Sequence, residues 1–370
     1  MRKLAYILVL LGLYAWPASG LAQNGAWENY MLAGNEAYRR GDYQGAEKQW
    51  TAGLRIAEQF GPDDHRLGTS LNNLASLYQA QGKYAEAEPL YKRSLAIWER
   101  ALGPEHPDVA TSLNNLAGLY HAQGHYREAE PLHKRSLAIW EKALGPEHPL
   151  VAHALIVIGH LYYRGLGVPQ DFTEAMKWYR KAAELGDAKA QYQVGVMFRH
   201  GQGVPKAPAE ALKWVQKAAE QGYAKAQIEM ASITLERGGY TSQARAKAAK
   251  WYRMAAEQGD VEAQNSLGQL YYNGDGVPQD LVQVHLWFSL VMMQKDTDPR
   301  AQGDDTAEIN RKFAAGTLTE QEAVKQWSES RVSMYTHAES TIILAESFMT
   351  AEELAEAQRL AREWLQKHGQ

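Results

Sequence analysis

Two pairs of adjacent asparagines are the residues of this chain best suited to bind another molecule. Asn72-Asn73 and Asn114-Asn115 lie 42 positions apart in matching sequence. A side-chain amide offers both a donor and an acceptor, which suits the main chain of an extended peptide. Asparagine costs a helix on the order of 0.5 kcal/mol relative to alanine, so two in each copy need an explanation. Peptide binding is one explanation; bonding to the next repeat, or simple copying of one ancestor, is the alternative.

Other polar residues are expected on the same helix face as these asparagines. If that face lines a concave groove that binds a protein or peptide, the candidate contacts are Thr69, Asn72, Asn73 and Gln79 in one copy and Thr111, Asn114, Asn115 and His121 in the next.

The histidines do not predict a metal site. His106 and His148 occupy equivalent LGPEHP turns, while His121, His125 and His133 belong to one repeat unit. Equivalent positions of packed neighbouring helices lie about 10 Å apart, which is too far for two side chains to share one metal ion. Solvated or helix-capping histidines are therefore expected, and no metal or other cofactor is predicted.

No motif predicts catalysis. Gly165-Leu166-Gly167 precedes a helix, but no third glycine and no Lys-Ser or Lys-Thr pair follows, as a phosphate loop requires. A turn that needs positive φ explains both glycines. Serine, histidine and aspartate are too scattered to propose a triad, so no catalytic residues are predicted. An enzyme stays an open alternative because catalytic groups need only meet in space.

The charge of the chain and its first 22 residues indicate the class of partner and the cellular location to expect. The net charge is −4, and lysine and arginine alternate with glutamate, which argues against nucleic acid as a partner. Arg2 and Lys3 precede an apolar stretch from Leu4 to Trp16, as in a secretory signal, so residues 1–22 are expected to be cleaved after Ala22 or after Gly20. We expect a soluble periplasmic or secreted chain without a membrane span and, since cysteine is absent, without disulfides.

The elements that carry the asparagines come from a tandem duplication. Leu71–Pro107 returns as Leu113–Pro149 with 6 of 37 positions changed, which indicates a module that packs on its own copies. Apolar residues at i, i+3, i+4 and i+7 predict the first helix of the module, and a second helix follows the glycine at position 82. Pro89 is expected in the first turn of that second helix, where its missing N–H costs nothing.

After Pro149 the repeated pattern changes. Lys177–Gln191 returns as Lys213–Gln227 and as Lys250–Gln264. A companion Gly-x-Gly-Val-Pro segment occurs in three units, but the unit between them has ERGGYTSQARAKA from Glu236 instead, so its turn should differ. The recurring Trp178, Trp214 and Trp251 sit beside alanine pairs and are expected in the core.

Two family resemblances follow from these residues. LNNLA, GKYAEAEPLY and LGPEHP resemble the 42-residue tetratricopeptide repeats of kinesin light chains, and the later segments resemble Sel1-like repeats. The resemblance implies pairs of antiparallel helices. It also implies that Asn73 and Asn115 hold the main chain of a peptide ligand, as the equivalent asparagine does in peptide-binding members.

The predicted fold class is all-α, a right-handed solenoid of helical hairpins. We expect tetratricopeptide repeats in residues 23–150 (about 25–60, 67–104 and 109–146), four Sel1-like repeats in 151–294, and a loop with capping helices in 295–370. Thr319 with Glu322 and Thr350 with Glu353 are expected to form capping boxes at two of these last helices.

The predicted function is a non-enzymatic envelope scaffold or adaptor that binds a protein or peptide of unknown identity. Two alternatives stay open: an envelope enzyme or regulatory subunit of a cell-wall or polysaccharide enzyme, and a self-assembling structural component. The sequence does not indicate the oligomeric state.

Overall fold

The structure, a computed structural model, describes residues 23–295 and 331–368. Within these residues it is helical throughout and has no strand, so the predicted all-α class is confirmed. The described residues fall into two compact units, one within residues 1–186 plus 202–204, the other within residues 187–201 plus 205–370.

Helices follow one another in pairs along both units. The first unit contains α1 (23–39), α2 (Tyr43–Ala57), α3 (His65–Ala80), α4 (Tyr84–Leu102), α5 (Pro107–Ala122), α6 (Tyr126–Leu144), α7 (Pro149–Arg164) and α8 (Phe172–Glu184). The second contains α9 (Ala188–His200), α10 (Pro208–Glu220), α11 (Ala224–Arg237), α12 (Ser242–Ala256), α13 (Val261–Asn273), α14 (Leu281–Met293), α15 (Arg331–Glu346) and α16 (Ala351–His368).

The core of the first unit explains the spacing of the duplicated module. Ala75 of α3 and Ala87 of α4 are completely buried, which lets the two backbones approach closely. Tyr91 of α4 and Leu116 and Leu119 of α5 fill the space beside them. Each helix pair thus buries its apolar stripe against the next pair, as a stacked repeat requires.

Local signals set several helix ends. The side chains of His106 and His148 accept hydrogen bonds from the backbone N–H groups of Asp108 and Leu150, each at 3.3 Å, so both histidines are N-caps as expected. The prediction for Pro89 was wrong: it is the sixth residue of α4 and lies in the second turn. There its missing N–H removes one intrahelical hydrogen bond, and packing of α4 against α3 and α5 stabilises the helix instead.

The later repeats have the wide turns that their glycines predict. Gly165 and Gly167 have φ of 68° and 74°, in the left-handed region that disfavours side chains. The turn between α11 and α12 does differ, as expected from its sequence. It is short, and Tyr240, with φ of 57°, is the one non-glycine residue with positive φ in the described chain.

The recurring tryptophans divide between core and partly covered positions. Trp214 is buried, as expected, with 9% of its surface exposed. Trp178 and Trp251 are half-buried. The Nζ atoms of Lys181 and Lys217 lie over the rings of Trp178 and Trp214, 5.1 and 4.7 Å from the ring centroids, so a lysine ammonium group covers one face of each ring.

Helix α14 is apolar on nearly all sides because other helices pack on it. Its Val284, Phe288 and Val291 are completely buried, and Tyr335 of α15 and Ala361 of α16 belong to the same cluster. Within residues 23–295 and 331–368 no helix is long and apolar enough to cross a membrane.

The start of α16 is the predicted capping box. Glu353 N–H donates to Thr350 Oγ1 at 3.2 Å, and Thr350 N–H donates to Glu353 Oε2 at 2.8 Å. Residues 1–22, the expected signal, and the Thr319–Glu322 capping box lie outside the described residues.

Candidate binding surface

The eight predicted binding residues lie on α3 and α5, the first helices of two successive pairs, and every one of them is half-buried. Their polar atoms are partly accessible and partly used inside the protein. Binding by these residues stays a prediction, and the contacts described below identify the atoms that remain available for it.

The asparagines contact one another across the repeat boundary. Asn115 Nδ2 donates to Asn72 Oδ1 at 3.1 Å, which is the bonding to the next repeat that the sequence left as an alternative. Asn73 Nδ2 lies 3.8 Å from the sulfur of Met31 in α1, a weak acceptor. Among the described residues, no hydrogen bond uses Asn72 Nδ2 or Asn115 Oδ1. One amide donor group and one amide acceptor therefore remain side by side.

The two threonines act locally. Thr69 Oγ1 donates to the His65 carbonyl and Thr111 Oγ1 to the Pro107 carbonyl, each at 3.1 Å. Each hydroxyl therefore bonds the preceding turn of its own helix and keeps its lone pairs as acceptors.

Gln79 is bonded to the second helix of its own pair. Tyr91 OH donates to Gln79 Oε1 at 3.0 Å, and Ser76 Oγ lies 2.9 Å from the same hydroxyl. The copy carries Gly118, His121 and His133 at the three equivalent positions. Half of the six differences between the copies thus change one partly buried hydrogen-bonded cluster.

His133 replaces the tyrosine of that cluster with an ionisable ring. It is 3% exposed, and its Nδ1 lies 3.1 Å from Asn114 Oδ1, so the change from tyrosine to histidine creates a buried polar contact. Burial lowers the pKa of His133 from 6.5 to about 4, and the neighbouring His121 and His153 add to the lowering. At neutral pH the ring is uncharged, and its Nδ1 carries the proton that Asn114 Oδ1 accepts.

His121 makes a ring contact with the second helix of its own pair. Its ring contacts Tyr126 edge to face, with 4.9 Å between ring centroids. The sequence indicated His121 as a candidate binding residue. It did not indicate the neighbouring side chains of Tyr126, Ser76 and Tyr91. The signal that could have found Ser76 and Tyr91 is that they change together with Gln79 between the copies.

Metal-ligating side chains do not cluster in the part of the chain that the structure describes. In residues 23–295 and 331–368 no group of three or more His, Cys, Asp or Glu side chains is placed to hold a metal ion. The surface on α3 and α5 offers amides, hydroxyls and an imidazole that can exchange hydrogen bonds with a peptide main chain.

Two family models match the chain. The tetratricopeptide repeat model matches residues 28–97 and 66–141. The Sel1 repeat model matches residues 152–187, 188–223, 224–260 and 261–289. Repeats of these two kinds generally mediate contacts between proteins, and the family is typically non-catalytic.

Solved structures similar to this chain contain the same repeats. A Sel1 repeat protein from Oxalobacter formigenes is 28% identical, covers 62% of this chain and 85% of its own, and has a TM-score of 0.41. A Podosopora anserina protein of kinesin-light-chain type, with nearly identical TPR-like repeats, is 21% identical over 62% and 92%, with a TM-score of 0.36. A protective antigen of uropathogenic Escherichia coli with an SLR fold is 18% identical over 94% of each chain, with a TM-score of 0.27.

A comparison with curated proteins found no match. The two family models together span residues 28–141 and 152–289 and assign a repeat type to most of the helix pairs described above. The chain is therefore a repeat protein in which tetratricopeptide repeats are followed by four Sel1 repeats.

Proposed function

We propose that this protein is a non-enzymatic scaffold of the bacterial cell envelope that holds a protein segment against α3 and α5. The observation that carries the proposal is the amide pair across the repeat boundary, in which Asn115 Nδ2 donates to Asn72 Oδ1 at 3.1 Å. This bond orients both side chains before a ligand arrives. Asn72 then presents an N–H donor, and Asn115 presents a carbonyl acceptor beside it.

Such an arrangement suits a peptide in an extended conformation. The main chain of an extended segment offers alternating N–H and C=O groups, which match a donor and an acceptor held side by side. Because the two amides are already ordered by their mutual bond, little side-chain entropy is lost on binding.

Location in the envelope is supported by the N-terminal residues. Arg2 and Lys3, the apolar stretch that follows, and the small residues Gly20 and Ala22 have the order of a secretory signal. Soluble tetratricopeptide and Sel1 repeats placed in the periplasm would meet both secreted and membrane-anchored partners.

The test begins with affinity capture from a periplasmic extract and then measures binding of the identified partner. The change is Asn72→Ala combined with Asn115→Ala, which removes the proposed donor and the proposed acceptor together. Two lost hydrogen bonds of about 1 kcal/mol each predict an affinity at least about ten-fold lower. The melting temperature should change by only a few degrees, because both side chains are half-buried and Asn115 makes one internal bond.

The matched control is Gln44→Ala, which removes an exposed amide from α2. It should leave both affinity and melting temperature unchanged. If the double variant binds the partner as tightly as the wild type but melts several degrees lower, the asparagines are structural and the proposal is wrong.

A further inference from the structure

Three loops of the repeat array cover the beginning of a neighbouring helix. Each contains the Gly-x-Gly-Val-Pro pattern, and its second glycine approaches the backbone of that helix so closely that a Cβ would overlap it. Such a Cβ would lie 2.4 Å from the carbonyl carbon of Tyr126 at Gly167, 2.3 Å from the carbonyl oxygen of Phe172 at Gly203, and 2.3 Å from the backbone nitrogen of Ala246 at Gly276.

The order of these contacts is regular. The loop after α7 covers the start of α6, Gly203 covers the start of α8, and the loop after α13 covers the first turns of α12. By the same order, a loop after α11 would cover the start of α10. That connection is only residues 238–241, GGYT, so no such loop is present there.

A cleft lies where the missing loop would be. It has a volume of about 620 Å³ and is bordered by Pro208, Ala209 and Leu212 of α10 and by Ile233 and Arg237 of α11. A second cleft of about 390 Å³ shares Leu212, Ile233 and Arg237 with the first and continues to α12. The two clefts form one depression within the second unit, which we call the open loop site.

The floor of the open loop site is apolar. Ile233 is 9% exposed and Met230 is 7% exposed, and Leu212 is half-buried. In the loop after α13, Val277 packs against the buried core of its own repeats. An aliphatic side chain could therefore pack against the apolar floor at α10 and α11, as Val277 packs against the core of its own repeats.

The rim of the open loop site is cationic although the chain as a whole carries a net charge of −4. Lys206, Arg237 and Lys247 border it, and the side chains of these three residues form no ion pair or hydrogen bond with the described residues. Arg199 pairs with Glu229 and Glu236, and these three residues together carry one excess negative charge. With Lys206, Arg237 and Lys247 included, the net charge stays positive.

We propose that the open loop site binds an acidic, glycine-containing segment of a partner protein, in the position that the chain's own loops occupy elsewhere. The loop Gly274–Asp280, GDGVPQD, has the chemistry required: two aspartates, a valine and a glycine that permits close approach. The valine of such a segment rests on Leu212 and Ile233, and its carboxylates face Lys206 and Arg237. Charge complementarity selects this occupant over a basic or purely apolar one.

The probe is the capped, fluorescently labelled octapeptide NGDGVPQD, the sequence of residues 273–280, titrated against the full-length protein and followed by fluorescence anisotropy. Saturable binding that weakens between 50 and 300 mM NaCl is expected, because exposed charges are screened by salt. Lys206→Glu combined with Arg237→Glu should weaken binding at least about ten-fold. The matched control Lys250→Glu reverses an exposed charge on α12 outside the open loop site and should change affinity less than about two-fold.

Two further binding measurements test whether the peptide binds at the open loop site. The peptide NGKGVPQK, with both acidic residues replaced by lysine, should not bind. A variant in which residues 238–241 are replaced by GDGVPQD should close the site and abolish binding, with its helical content checked by circular dichroism. If this variant does not fold, the charge-reversal pair decides. Absence of binding up to about 1 mM peptide, equal binding to the charge-reversed protein, or binding to the folded loop-restored variant would each overturn the proposal.

Discussion

Protonation of His133 is expected to destabilise the α5–α6 pair at mildly acidic pH. The folded protein holds the imidazole with a pKa of about 4, chiefly because it is buried, while an unfolded chain restores a value near 6.5. Between these values the unfolded state binds a proton that the folded state does not. The stabilisation from the neutral ring is therefore complete above pH 6.5 and is lost as the pH falls towards 4.

The size of the effect follows from the two pKa values. Each unit of difference corresponds to about 1.4 kcal/mol, so at pH 4.5 the folded protein has lost about 2 to 3 kcal/mol through this residue alone. His133 is 3% exposed, so solvent screening does little to reduce that figure.

The chain itself supplies the matched control. Gly118→Ser, His121→Gln and His133→Tyr together rebuild the cluster of Ser76, Gln79 and Tyr91 that the preceding repeat contains. Urea unfolding of both proteins at pH 7.5 and 4.5 isolates the effect, because the carboxylates that titrate in this range are common to both. The wild type should lose about 2 to 3 kcal/mol more than the triple variant.

Hydrogen exchange over residues 107–144 compares the local stability of the wild type and the triple variant at the two pH values. A local measurement is needed because repeat arrays can unfold one segment at a time. The reasoning is refuted if the two proteins lose the same stability within about 0.5 kcal/mol. It is also refuted if an NMR titration places the pKa of His133 near the 6.5 of a free imidazole.

Two further predictions concern packing. Gly276→Ala and Gly274→Ala both place a side chain at positive φ, 73° and 69°, at a cost of about 1 kcal/mol each, but only at Gly276 would the Cβ meet a backbone atom at 2.3 Å. Gly276→Ala should therefore lower the melting temperature clearly more, and equal losses would show that close approach contributes nothing. Leu113→Ala empties a completely buried position and should cost about 3 kcal/mol in urea unfolding. The exposed Leu102→Ala should cost less than about 1 kcal/mol, and similar losses would contradict the described core.

Features that depend on neighbours within one or two helical turns were predictable from the sequence. The helix pairs follow from apolar residues at i, i+3 and i+4, because one face of a helix must be buried. The N-caps at His106 and His148 and the capping box at Thr350 and Glu353 also depend only on residues two or three positions apart. Pro89 is the exception: the helix begins at Tyr84, directly after the turn at Gly82, which places Pro89 in its second turn.

Which polar atoms of the predicted binding residues are already hydrogen-bonded depends on contacts between helices. Gln79 was expected to be free for a ligand, but Tyr91 reaches its carbonyl oxygen from α4. Asn72 and Asn115 are 43 residues apart in the chain and meet only because two repeats stack. The spacing of residues along the chain does not give such a distance. The sequence therefore left inter-repeat bonding as an alternative to ligand binding, which the family resemblance favoured.

The duplicated sequence by itself determined the repeat types, the helix pairs and the glycine turns, since these arise from the period of the backbone and from short-range sterics. Only the tertiary structure decided which polar atoms remain available and where an unusual turn exposes a surface. The missing Gly-x-Gly-Val-Pro loop was visible from Glu236 onwards. Its consequence appears about 30 residues earlier, at Pro208 and Leu212, because each loop covers a helix of the preceding pair.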